Sequence, residues 1–153
     1  MLTKRTLRVL SVLALVVVVG AACSKKNGNA GGSSSSSAAS KPTVKIAYVG
    51  ALTGDAAQLV VPGYQAAQLA FSEANSGKFG NLPVKIQLVG EDTQGSPDQA
   101  PGVADKVVND NAFVGVIGPA FSGESNAAGG KFDTAGIPFI TPSATNPTVA
   151  QNG

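Results

Sequence analysis

From Thr43 onward the hydrophobic period of the chain switches repeatedly between two and about 3.6 residues, and this switching restricts the fold more than any other feature. Val44, Ile46 and Tyr48 alternate with Lys45 and Ala47, which predicts a first strand ending at Gly50. Val60, Tyr64, Ala67, Phe71 and Ala74 recur at spacings of three and four, which predicts a helix. Pro62 falls near its start and Asn75-Ser76-Gly77 closes it. Val84, Ile86 and Leu88 predict a second strand, with Lys85 and Gln87 on its other face. Ser96-Pro97 reads as an N-cap followed by a first-turn proline, and Ala100, Val103, Ala104, Val107 and Val108 form the next helical stripe. Phe113 to Ile117 is an unbroken apolar run, as expected of a strand buried on both faces. Gly118-Pro119 stops it. Residues 122–135 read as a third helix, weakened by Gly129 and Gly130 and capped by Gly136. Ile137 to Ile140 predict a fourth strand, which Pro138 assigns to an edge or a strand start.

The order βαβαβαβ with short connections predicts an α/β fold: a parallel sheet with helices on both faces and right-handed crossovers. The half-polar second strand fits an edge and the apolar third strand fits the centre. The expected strand order is therefore 2-1-3-4, with a switch point between strands one and three.

The residues before Thr43 have a different character. Lys4, Arg5 and Arg8 precede an apolar run from Val9 to Ala22, too short to span a bilayer, and Gly20-Ala21-Ala22 are small. This reads as a secretory signal over residues 1–22. Cys23 follows at once, and the segment is similar to a bacterial lipoprotein signal, with Gly20 where leucine is usual. That resemblance implies a lipidated Cys23 that becomes the first mature residue and anchors the protein to the membrane. Residues 24–41 hold seven Ser, three Gly, three Lys and no Val, Leu, Ile or aromatic residue. Nothing there offsets ordering entropy by burial, so residues 23–41 read as a lipidated, flexible tether reaching about 24 Å. Residues 42–153 form the folded part.

Charge and rare residues narrow the chemistry. The formal net charge of +2 arises from six basic residues and no acid in residues 1–41, against five lysines and nine acids beyond. The folded part is acidic, which argues against a nucleic-acid partner. There is no histidine and one cysteine, which removes Ser-His-Asp and Cys-His catalysis and zinc sites built on those ligands. There is no Gly-x-Gly-x-x-Gly and no phosphate-loop lysine, so nucleotide binding lacks its signature. No metal or cofactor is expected, and no catalytic residue is assigned.

Ligands of such sheets bind beyond the carboxyl ends of the strands. Three of those ends carry small, hydroxyl-rich loops: 50–55, 118–125 and 141–147. Hydroxyls and free N–H groups at a helix start suit a carboxylate. Ser122, Ser143 and Thr145 are the candidate donors, and Phe121 is either a ligand-packing aromatic or core. Ser122 is equally readable as a helix N-cap, and Ser143 and Thr145 as turn formers. Glu91-Asp92 is a paired carboxylate at a strand end; a solvated loop is its expected setting.

The segments 45–54, 107–110, 116–119 and 136–147, running Lys-Ile-Ala-Tyr-Val-Gly-Ala-Leu-Thr-Gly, Val-Val-Asn-Asp, Val-Ile-Gly-Pro and Gly-Ile-Pro-Phe-Ile-Thr-Pro-Ser-Ala-Thr-Asn-Pro, resemble branched-chain amino-acid-binding proteins. These are extracytoplasmic receptors of ABC importers with the type I periplasmic-binding-protein fold, in which two α/β lobes close on a ligand. The resemblance implies that Ser122 meets the ligand carboxylate and that the loop containing Ser143, Ala144 and Thr145 supplies backbone N–H and a hydroxyl. Leu59 is the nearest match to an aromatic that packs on the ligand. Gly95 and Phe121 match two cysteines that form a disulfide in some members. The 112 residues from Pro42 correspond to the first four strands of one lobe, so an N-terminal fragment presenting half a site is expected, with an exposed edge at strand four. The implied partners are a small carboxylate such as an aliphatic amino acid, the ABC permease subunits and, through the lipid, the extracytoplasmic face of the membrane. A sensory ligand-binding module of the same fold and an enzyme on a doubly wound sheet are the rival readings.

Overall fold

The structure, a computed structural model, describes residues 40–151. The signal at 1–22, Cys23 and almost all of the tether lie outside the described residues. Four strands, β1 (Thr43–Gly50), β2 (Lys85–Asp92), β3 (Phe113–Ile117) and β4 (Phe139–Ile140), alternate with three helices, α1 (Ala57–Asn75), α2 (Ala100–Val108) and α3 (Ser122–Thr134). A 3-10 turn, Pro147–Gln151, follows. Every strand pairing is parallel, and the order is β2-β1-β3-β4, as the alternating pattern predicts.

Helices cover both faces. Ala47 and Val49 point from β1 to Ala100, Ala104 and Val107 of α2 and to Ala128 and Phe132 of α3. Tyr48, on the other face, joins Val60, Tyr64 and Ala67 of α1, with the two tyrosine rings 5.2 Å apart. Burial pushes the Tyr48 phenol above its ordinary pKa. Among the described residues no helix is long and apolar enough to cross a membrane.

Several local expectations are corrected. Pro62 lies in the second turn of α1, beyond the first-turn positions whose N–H is spare, so it removes the bond that would reach the Gln58 carbonyl. The N-cap of α2 is Gln99; Ser96 instead accepts the Asp98 and Ala100 amides with its side chain and carbonyl in the preceding turn. The fourth strand is two residues, not four, and β2 starts at Lys85 and runs on through Asp92. β3 is not buried on both faces: Val114 is 47% exposed. The reason is a bulge, because Phe113 pairs with Lys45 and Gly115 with Ile46, leaving Val114 as an extra residue. The bulge also puts Phe113 and Val116, three apart, in the same α2–α3 cluster.

Gly118 closes β3 at φ +114, where a Cβ would lie 2.1 Å from the Val49 carbonyl oxygen. Only glycine lets the loop after β3 turn this close to β1. Its N–H still donates to the Ile140 carbonyl at 2.7 Å, so the ladder to β4 runs to the point where the loop departs.

Candidate functional site

The carboxyl ends of all four strands point the same way because the sheet is parallel, and their loops meet above β1 and β3. The loop after β1 is held by Asp92, the last residue of β2. Its Oδ1 accepts the amides of Leu52 at 2.9 Å, Thr53 at 3.2 Å and Gln94 at 2.9 Å, and the Thr53 hydroxyl donates to Oδ2. Partial burial opposes ionisation of this carboxyl, but those hydrogen bonds outweigh it and hold its pKa below the usual aspartate value. Glu91 is buried and pairs with Lys106 of α2 at 2.6 Å. The two carboxylates therefore stand neither in a solvated loop nor as a reactive pair; each is committed to the scaffold.

The loop after β3 leads into α3 through Pro119, Ala120 and Phe121. Phe121, in extended backbone, is the N-cap residue, and Ser122 is the first helical residue rather than the cap. Phenylalanine has no side-chain acceptor, so only the reciprocal half of a capping box forms: Glu124 Oε2 accepts the Phe121 N–H at 3.0 Å. The half-buried Phe121 ring packs with the α1-face cluster and lies 3.4 Å from where a Cβ on Gly95 would stand. Gly95 is glycine for its backbone, at φ +74, since a Cβ there would make only ordinary contacts.

Ser122 and the loop after β4 meet directly. Its Oγ accepts the amides of Thr145 and Asn146, each at 3.2 Å. A hydroxyl has two lone pairs and one proton. With both lone pairs engaged, Ser122 is left to act only as a donor. Ser143 is the reverse case: its hydroxyl proton goes to the Ala120 carbonyl at 2.5 Å. The Ala144 amide donates to Thr141 Oγ1 at 3.0 Å, while the exposed Thr145 hydroxyl has no partner among the described residues. A hollow of about 370 Å³ beside this loop is lined by Thr141, Ala144, Thr145, Asn146 and Val149 among others. Leu59, in the first turn of α1, is 70% exposed at the same end of the sheet.

The structure therefore brings Ser122, Ser143, Ala144 and Thr145 together, while the Phe121 ring turns to the α1-face cluster and Gly95. Sequence reasoning missed Thr93 and Glu124, both buried and hydrogen-bonded to each other beneath the loops. The spacing of Glu124 three residues after the N-cap was the available signal, masked because the cap residue is phenylalanine. This end of the sheet carries Asp55 and Asp98 in its loops and Asp92 at the end of β2, with Glu124 buried beneath, and the loops hold no lysine. Among the described residues no group of three or more His, Cys, Asp or Glu is placed to hold a metal ion.

A parallel α/β lobe offering hydroxyl and amide donors at its switch point defines a class of small-molecule-binding domains. Within that class the chain belongs to the periplasmic binding protein family, whose model matches residues 43–153. It is 37% identical over 110 residues to the Leu/Ile/Val-binding protein of Escherichia coli K12, covering 72% of this chain and 29% of that protein. It is 36% identical over 112 residues to the leucine-, isoleucine-, valine-, threonine- and alanine-binding protein of Pseudomonas aeruginosa, with the same coverage of 72% and 29%. Among solved structures, the branched-chain amino acid transporter substrate-binding protein LivJ of Streptococcus pneumoniae, in complex with isoleucine, superposes with a TM-score of 0.65 at 31% identity, covering 71% of this chain and 31% of that one. The chain thus spans less than a third of the length of these relatives.

Proposed function

We propose that this chain supplies the carboxylate-binding side of an extracytoplasmic solute-binding receptor. The receptor takes an aliphatic amino acid, such as a branched-chain one, and delivers it to the membrane subunits of an ABC importer without catalysing a reaction. The observation that carries this reading is the Ser122 hydroxyl, whose lone pairs are filled by the Thr145 and Asn146 amides and whose proton is free to donate to an anion. The Thr145 hydroxyl and the Ser143 backbone N–H add donors from the neighbouring loop, and the N-terminus of α3 adds its dipole. Ala144 and Phe121 give the apolar contacts. The acidic rim favours a zwitterion over a simple anion, since an ammonium group offsets the opposing field. The names of the relatives, which bind leucine, isoleucine or valine, support the same ligand class.

Calorimetric titration with L-leucine tests this. Ser122→Ala and Thr145→Ala should each weaken binding by about ten-fold, the worth of one hydrogen bond to a charged group. Unchanged affinity removes that residue from the site. The reading includes secretion through residues 1–22 and lipid anchoring at Cys23, on the extracytoplasmic side of the membrane. Cys23→Ser should release the processed protein from the membrane fraction; retention there counts against the anchor.

A further inference from the structure

We infer that the buried Thr93–Glu124 hydrogen-bonded pair is a positioning element for the carboxylate donors, locking the loops after β2 and β3 together so that Ser122 keeps its place against the loop after β4. The inference rests on the ligand site proposed above and assigns two residues outside it. Glu124 and Thr93 are both fully buried, and no lysine among the described residues pairs with Glu124. A buried carboxylate without a cation is costly, and an apolar residue of similar size is the cheaper way to fill such a space. What the carboxylate adds is two directed acceptors. Oε1 takes the Thr93 hydroxyl, 31 residues away in the chain, and Oε2 takes the Phe121 N–H at 3.0 Å.

The consequence is one hydrogen-bonded chain through all four strand ends. The Thr93 amide donates to the Gly50 carbonyl at 3.0 Å, at the end of β1. The Thr93 hydroxyl crosses to Glu124. Glu124 grips the N-cap peptide of α3, directly before Ser122. The Ser122 oxygen then receives the Thr145 and Asn146 amides from the loop after β4. The Phe121 ring over Gly95 bridges the same two loops on the apolar side. A covalent cross-link would hold them at one point; here a polar and an apolar contact share that task.

The test compares Thr93→Val, which keeps the shape and deletes the donor, with Thr93→Ser, which keeps the donor. A core variant away from the site, Val107→Ala, serves as a stability control. In the full chain in detergent solution, Thr93→Val should accelerate hydrogen exchange of the Thr145 and Asn146 amides and weaken L-leucine binding, each about ten-fold. Thr93→Ser should restore both to within about two-fold. Val107→Ala should lower the melting temperature and leave both readouts unmoved. Wild-type exchange and affinity in Thr93→Val, or equal changes in Val107→Ala at equal loss of stability, would overturn the inference. Absence of leucine binding in the wild-type chain would count against the ligand site alone, because the exchange readout still decides the role of Thr93 and Glu124.

Discussion

Asp92 shows how one side chain does the work of a turn sequence. The loop after β1 has no proline or asparagine to shape it, and Asp92, reached across the β1–β2 ladder, accepts its amides instead. Because its folded pKa is lowered, its contribution to stability is complete above the unfolded aspartate value, about 4, and is lost as pH falls through the folded value. Thermal melts of wild type and Asp92→Asn should therefore differ at pH 7, and the difference should shrink as pH falls below about 4. A gap that persists at low pH would show that the ionised form is not what holds the loop. The residues of the candidate site divide along the same line. Ser122, Ser143 and Thr145 were legible because their place at strand ends follows from the alternating pattern. Asp92, Thr93 and Glu124 were not, since their partners lie tens of residues away and polar contacts between loops leave no periodicity in a sequence. The N-cap reading of Ser122 was open on spacing and is removed at one residue, by Phe121 taking the cap.

At the scale of elements, α2 is tied to β2 by Lys106 and Glu91, a pair whose carboxylate side chain is 5% exposed and whose lysine is 68% exposed. Lys106→Ala should cost about 1–2 kcal/mol, because it strands a buried carboxylate while the screened ammonium end moderates the loss. Lys78→Ala, at the open pair with Glu73, should cost less than about 0.5 kcal/mol. Denaturant titration of both variants checks the contrast, and equal costs would mean that burial of Glu91 is immaterial. α3 was the helix least visible in the sequence, because its inner face is Glu124, Ser125, Ala128, Gly129 and Phe132 rather than an aliphatic stripe. Gly129, which by propensity weakens the helix, is a socket: a Cβ there would stand 3.0 Å from the Phe139 ring. Gly130 meets nothing and has no such reason.

At the scale of the molecule, the sheet is covered unevenly. On the α1 side, Val114 and Ile140, 47% and 74% exposed, join Ile46, Phe71, Ile117 and Pro138 around an open apolar hollow of about 490 Å³. β4 beside it pairs through only two residues. Such a face promotes self-association. The double variant Val114→Thr, Ile140→Lys should reduce the apparent mass seen by light scattering at high concentration; an unchanged mass would acquit this face. The layer order and strand order were legible from periodicity. The open face was not, because the run from Phe113 to Ile117 looks the same whether its side chains alternate regularly or slip by one.

That slip has a consequence for how the gene tolerates change. Loss of a codon within a paired strand ordinarily turns every later side chain to the wrong face. Here Val114 has no partner across the ladder, while Phe113 and Gly115 answer consecutive residues of β1. Deleting Val114 leaves the phase of everything downstream intact, including Gly118 and Ser122, and removes no buried side chain, whereas deleting Phe113 closes the bulge only by losing a core residue. β3 carries one expendable letter, and it is the one that faces solvent.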